Sequence, residues 1–122
     1  MRTVFHIADL GQWEDAVAAS EYRWSTRGAT LEEVGFIHCS ATPDQVERVA
    51  GFIYRDHAGP LVVLEIDADA VERAGVRILM EDGGTGELFP HLYGPLDPRW
   101  VTIVHPAGFD GDGRFQWAGA ST

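Results

Sequence analysis

Apolar and polar positions alternate along "TVFHIA" (Thr3 to Ala8), with Val4, His6 and Ala8 on one face and Phe5 and Ile7 on the other. That period of two predicts a short strand. "FIHCS" repeats the pattern, setting Phe36, His38 and Ser40 against Ile37 and Cys39. "GPLVVLEID" (Gly59 to Asp67) is apolar almost throughout before its final aspartate, which marks a central strand covered on both faces. "VRILMED" is a fourth strand, with Arg77, Leu79 and Glu81 on one side, and "RWVTIVHP" and "FQWAG" are two more. Between those last two, the Asp-Gly pairs of "AGFDGDGR" favour a reversal of the chain.

Helical spacing occurs in fewer places. A short helix is expected around "WEDAVAAS". The best-marked one starts at "TPDQ", where Thr42 caps, Pro43 suits the first helical position and Gln45 completes a capping-box pattern. Val46, Val49, Ala50 and Ile53 then recur on one face that should pack on a sheet. Asp67 is placed to cap a helical turn in "ADAVERAG". The segment Glu21 to Gly35 reads as irregular. Gly83, Gly84 and Gly86 open a turn into "FPHLYGPL" (Phe89 to Leu96), whose two prolines argue for a shaped loop rather than a central strand. Strands with a few interspersed helices, out of regular alternation, indicate an α+β fold.

Composition narrows what such a fold can do. At 122 residues, 45% hydrophobic, the chain is expected to form one domain, residues 1–122. A formal charge of −10 opposes the phosphate contacts of nucleic-acid binding and attraction to an anionic bilayer, although a local arginine cluster can still hold one small anion. All nine basic residues are arginine, which excludes a phosphate-loop lysine, a Schiff base and a lysine-bound pyridoxal cofactor. With one cysteine, no secretory signal pattern and no apolar run of about 20 residues, a cytoplasmic location is the expectation.

Histidines carry the candidate chemistry. His6 and His38 occupy strand interiors with small or polar neighbours on the same face, Ala8 and Ser40, which leaves space for a ligand beside each imidazole. His91 and Tyr93 project from "FPHLYGPL", and Glu81 ends a strand from which its carboxylate can enter a cleft. His57, at a helix end, reads as structural. Cys39 and His38 point to opposite faces and cannot act as nucleophile and base, so Cys39 reads as a small buried hydrophobe. His6, His38 and His91, with Glu81, offer a loose metal set without a compact ligand motif, and no metal is assigned.

The ordered set "VFHIA", "GFIHCSATPDQV", "LVVLEID", "VRILMED" and "FPHLYGPL" resembles the bacterial domain-of-unknown-function family DUF952 over about Thr3 to Ile103. The resemblance implies an ADP-ribosylation-like fold, with two curved, mostly antiparallel sheets around a central crevice. It makes NAD the candidate ligand, with His6, Ser40 and Tyr93 as cofactor-binding residues and Glu81, His38 and His91 as catalytic ones. His6 is similar to a first-strand histidine that bonds a ribose in that fold. His38 stands where a stacking tyrosine is expected, and Tyr22, Tyr54 or Tyr93 would have to replace it. The readings that follow are a nucleotide-binding or NAD-processing protein, a non-catalytic small-ligand module and a metal-dependent hydrolase.

Overall fold

The computed structural model describes residues 2–121. In chain order its elements are β1 (Thr3–Asp9), α1 (Leu10–Ala19), β2 (Trp24–Thr26), β3 (Ala29–Thr30), α2 (Leu31–Val34), β4 (Ile37–His38) and α3 (Pro43–Val49). A π turn (Ala50–Tyr54) extends α3 and leads to β5 (Leu61–Asp67), α4 (Ala68–Arg73), β6 (Ile78–Asp82), β7 (Leu88–Leu92), β8 (Val101–Phe109) and β9 (Phe115–Gln116). The fold is mixed α+β, with antiparallel sheets and a few short helices.

The continuous apolar run of β5 is explained by its place inside the four-stranded sheet β1-β5-β8-β9. Val62, Leu64 and Ile66 enter one core with Val4 and Ala8, while Leu61 and Val63 enter a second core with Ile7. Each face of the sheet therefore has its own hydrophobic layer. On the second face lies α3, capped as its sequence predicts by Thr42, whose side chain accepts from the Gln45 amide at 3.2 Å. Gln45 departs from a strict capping box. Its Oε1 accepts from Ala41 N at 2.8 Å, and its Nε2 donates to the Leu88 carbonyl at 2.9 Å, so it ties the helix to the start of β7. The π turn then shifts the helical register, burying Tyr54 where regular spacing would bury Ile53.

"FPHLYGPL" corrects one expectation: its first part is β7, the middle strand of the sheet β4-β7-β6. Pro90 is tolerated because of where β4 ends. The Pro90 carbonyl accepts from Cys39 N at 3.0 Å, so its missing N–H faces the same side, beyond the last β4 pair, His38 with His91. Only the terminal bond of the ladder, from residue 90 to the Cys39 carbonyl, goes unmade. The segment predicted as irregular is also ordered: β2 and β3 form a hairpin turned at Gly28 (φ 71°), followed by α2. Thr30 and Glu33 make a complete capping box at the start of α2, a signal present in the sequence "TLEE".

One reciprocal pair splices the two larger sheets. Phe5 N donates to Ser40 O at 2.8 Å and Ser40 N to Phe5 O at 2.7 Å. Because that bridge sits one residue from His6 and two from His38, it brings both histidines to the junction between the cores. His57 binds Asp9 Oδ2 at 3.0 Å and so ties the chain after the π turn to the carboxylate that caps α1. Among the described residues no helix is long and apolar enough to cross a membrane.

Candidate functional site

A crevice of about 270 Å³ opens beside this junction. Val34, Phe36 and Ile53 form its apolar walls, Asp82 and Gly83 its mouth, and Ser25, Thr26, His38 and His91 contribute its polar groups. Phe36 stacks flat on the His91 ring, with centroids 3.8 Å apart and planes 9° from parallel. The edge of the crevice near β6 is held by Asp82, whose Oδ1 accepts from the amides of Gly84 at 2.7 Å and Gly86 at 2.9 Å.

Hydrogen bonds link the candidate residues in a chain. Tyr93 OH and His91 Nδ1, the latter at 2.9 Å, both donate to Glu81 Oε1, holding its carboxyl below the usual range. The other His91 nitrogen, Nε2, lies 3.3 Å from His38 Nδ1. A neutral His91 with its proton on Nδ1 accepts from His38 Nδ1–H, and His38 Nε2 is then a bare lone pair. That atom is buried and has no hydrogen-bond partner among the described residues. Burial, reinforced by the neighbouring imidazoles of His91 and His6, lowers the His38 pKa to about 4, so the ring is neutral near neutral pH. Ser25 Oγ is likewise buried and unpartnered, and Thr26 Oγ1 is buried close to the Tyr54 phenol. Ser25 and His38 line both this crevice and a hollow of about 10 Å³ next to it, so the unpartnered hydroxyl and imidazole nitrogen lie in the wall between the two spaces, where they suit a group that donates one hydrogen bond and accepts another.

The family described as "Protein of unknown function (DUF952)" matches residues 7–104. The chain belongs to the DUF952 family. Protein CC0527 from Caulobacter crescentus resembles this DUF952 chain in its crystal structure, with a TM-score of 0.77, 31% identity and 93% of each chain covered. The solution NMR structure of CC0527 gives 0.73 and 30% identity, covering 93% of this chain and 91% of that one. At 9% identity, a structure titled EcPltA has a TM-score of 0.63, covering 96% and 82% of the two chains, a likeness of fold alone. No curated protein matches the chain.

In this DUF952 chain His38 and His91 line the crevice, and Glu81 and Tyr93 stand behind His91 as its support. His6 and Ser40, expected to bind cofactor, do not reach it. Instead they border a narrow hollow of about 10 Å³, too small for a ligand, because Tyr22, Val49 and Tyr54 fill the space left by their small neighbours. Both His6 nitrogens are engaged: Nδ1–H donates to the His38 carbonyl at 2.7 Å, and Nε2 accepts from Tyr22 OH at 2.8 Å. A carbonyl can only accept, which fixes this tautomer. The Tyr22→Phe variant strands His6 Nε2 and is expected to lose about 1–3 kcal/mol of stability. Urea unfolding measures it, and an unchanged midpoint would refute the pairing.

Neither Tyr22 nor Tyr54 is available to stack on a ligand, since both are buried. Phe36, not singled out in the sequence, supplies the aromatic wall; its place beside His38 on the predicted strand face was the available signal. Ser25 and Thr26 were hidden in the segment read as irregular. Among the described residues no group of three or more His, Cys, Asp or Glu is placed to hold a metal ion, and the facing nitrogens of His38 and His91 bond each other. Cys39 is 1% exposed, and burial raises its thiol pKa, which suits the hydrophobe reading.

Proposed function

We propose that the protein binds a small nucleotide-like ligand in this crevice, with NAD as the candidate and His38 Nε2 as the anchor. The observation that carries the reading is that buried, unpartnered nitrogen, oriented through His91 by Glu81 and set beside the Phe36 wall. At about 270 Å³ the crevice is near the lower end of small-molecule sites, about 300–1,000 Å³, so it suits one planar ring and its substituents rather than a whole dinucleotide. A nicotinamide group fits that description: its amide N–H donates to the imidazole and its carbonyl accepts from a hydroxyl. An ADP-ribosylation-like fold belongs to the same proposal and is supported by antiparallel sheets meeting at the crevice.

NAD cleavage or ADP-ribosyl transfer is the second reading, favoured by the Asp82 carboxylate at the crevice mouth, where it would face a developing oxocarbenium charge. In that reading Glu81 is a positioning residue, because its carboxylate is directed to His91 and Tyr93.

Calorimetric titration with NAD, ADP-ribose and nicotinamide, run alongside an assay for nicotinamide release, separates these readings. NAD and nicotinamide are expected to bind, and His38→Ala to weaken both by about tenfold or more through loss of one buried hydrogen bond. Release abolished in Glu81→Gln identifies an enzyme; binding without release identifies a binding module. Binding unaffected by His38→Ala removes the crevice from consideration.

A further inference from the structure

Two of the nine arginines meet at a second pocket, of about 410 Å³, which shares no lining residue with the crevice. Arg55, on the residue following that turn, and Arg114, in the reversal between β8 and β9, line it together with Glu47, Phe109 and Trp117. In a chain with ten more acidic than basic side chains, arginines are readily paired. Arg2, Arg23, Arg27, Arg48 and Arg99 each have a carboxylate partner. Arg55, Arg73, Arg77 and Arg114 have none within 4.0 Å among the described residues, and of these four Arg55 and Arg114 share one pocket. Arg55 makes only two contacts at the outer limit of hydrogen bonding, to the carbonyls of Gly51 and Gly113, both at 3.5 Å. Asp110 lies close enough to Arg114 to feel its charge. Its two oxygens, however, are occupied by the amides of Asp112 and Arg114 and by the Gln116 side chain.

The indole of Trp117 supplies an independent second observation. Its side chain is 5% exposed and lines this pocket, yet its Nε1–H is buried with no hydrogen-bond partner. A buried donor left unpaired is destabilising, and native interiors rarely keep one without a use. Two guanidiniums beside one hollow, with an unpaired indole N–H buried in a residue of its wall, form a set of donors, whose natural complement is an acceptor-only group with negative charge.

From this arrangement we infer that the pocket is an oxyanion site, taking the phosphate or carboxylate group of a small molecule between Arg55, Arg114 and Trp117. Glu47, the carboxylate among the lining residues, limits affinity and disfavours a second negative charge on its side. This site is separate from the crevice and does not depend on NAD binding there.

The test is a two-dimensional NMR titration of the full chain at low ionic strength with inorganic phosphate, and separately with acetate. The reporter is the Trp117 indole N–H resonance, assigned by its disappearance in Trp117→Phe. A saturable shift of that resonance is expected with at least one anion, and the tighter of the two identifies phosphate or carboxylate as the ligand group. Arg55→Ala and Arg114→Ala should each weaken binding by about tenfold, as expected for loss of a charge-assisted bond. Arg55→Lys should retain part of it, and Glu47→Gln should tighten it. These are pocket-lining substitutions, and thermal melts check that each variant is folded. The inference is overturned if neither anion shifts the indole saturably, if the shift survives in the Arg55→Ala, Arg114→Ala double variant, or if chloride reproduces it at equal concentration.

Discussion

Acidification from neutral pH to about pH 4 is expected to destabilise the protein by about 3 kcal/mol for each of His6 and His38, the largest effect predicted here. Both imidazoles have a folded-state pKa lowered from 6.5 to about 4, in each case chiefly by burial. Between those two values the unfolded chain binds protons that the folded one refuses. Stability is therefore complete above 6.5 and falls progressively as the pH drops toward 4. The physical origin differs slightly between the two. His6 is locked by a donor bond to a carbonyl and an acceptor bond from Tyr22, so a second proton would break the latter. For His38 the added charge would sit against two other imidazoles. Urea unfolding midpoints measured across this range provide the check. His38→Gln should reduce the slope by about half, and a flat profile in the unmodified protein would show that the histidines are not held neutral by the fold.

Leu92→Ala is expected to remove about 2–5 kcal/mol of stability, as for other large-to-small changes at fully buried sites. Leu92 is 0% exposed and packs in the core shared with Leu64, Ile66 and Ile37. The strand β7 alternates, so the residue before it, His91, faces the crevice while Leu92 anchors the strand on the other side. Loosening the anchor should disturb the Phe36–His91 stack and the His38–His91 bond together. A denaturant melt of the variant measures the first effect, and the imidazole resonances of His38 and His91 measure the second. A loss below 1 kcal/mol with unchanged imidazole signals would mean that β7 is held by its ladder alone.

Much of the fold was legible because its signals are local. The alternation of "TVFHIA" separated Val4 and Ala8 from Phe5 and Ile7, and that of "FIHCS" grouped Ile37 with Cys39; the structure keeps these groupings, with Val4, Ala8, Ile37 and Cys39 in one core and Phe5 and Ile7 at the other. Thr42 and Asp67 cap the helices they were read to cap. Misreadings arose where a residue's usual preference was overridden from outside its segment. Pro90 argued against a central strand, but it falls where β4 ends, so only one terminal ladder bond goes unmade. Small neighbours argued for space beside His6, but Tyr22, sixteen residues away, fills it. The turn at Gly28 and the capping box at Thr30 were present in "STRGATLEE" and marked a hairpin and a helix that aromatic and charged residues obscured.

By itself, then, the sequence determined the α+β class, most element positions, which residues share a face of the first strands, and a short list of residues able to carry chemistry. Period, capping and composition act within a few residues, and those are the distances over which a linear pattern carries information. Tertiary structure alone decided that His38 and His91, 53 residues apart, share a hydrogen bond at an open crevice, whereas His6 and Ser40 border a hollow too narrow for a ligand. The Phe5–Ser40 bridge and the π turn at Ala50–Tyr54 set which side chains meet and how much space remains between them. Both depend on packing between elements distant in the chain, and no local pattern encodes the volume left after that packing.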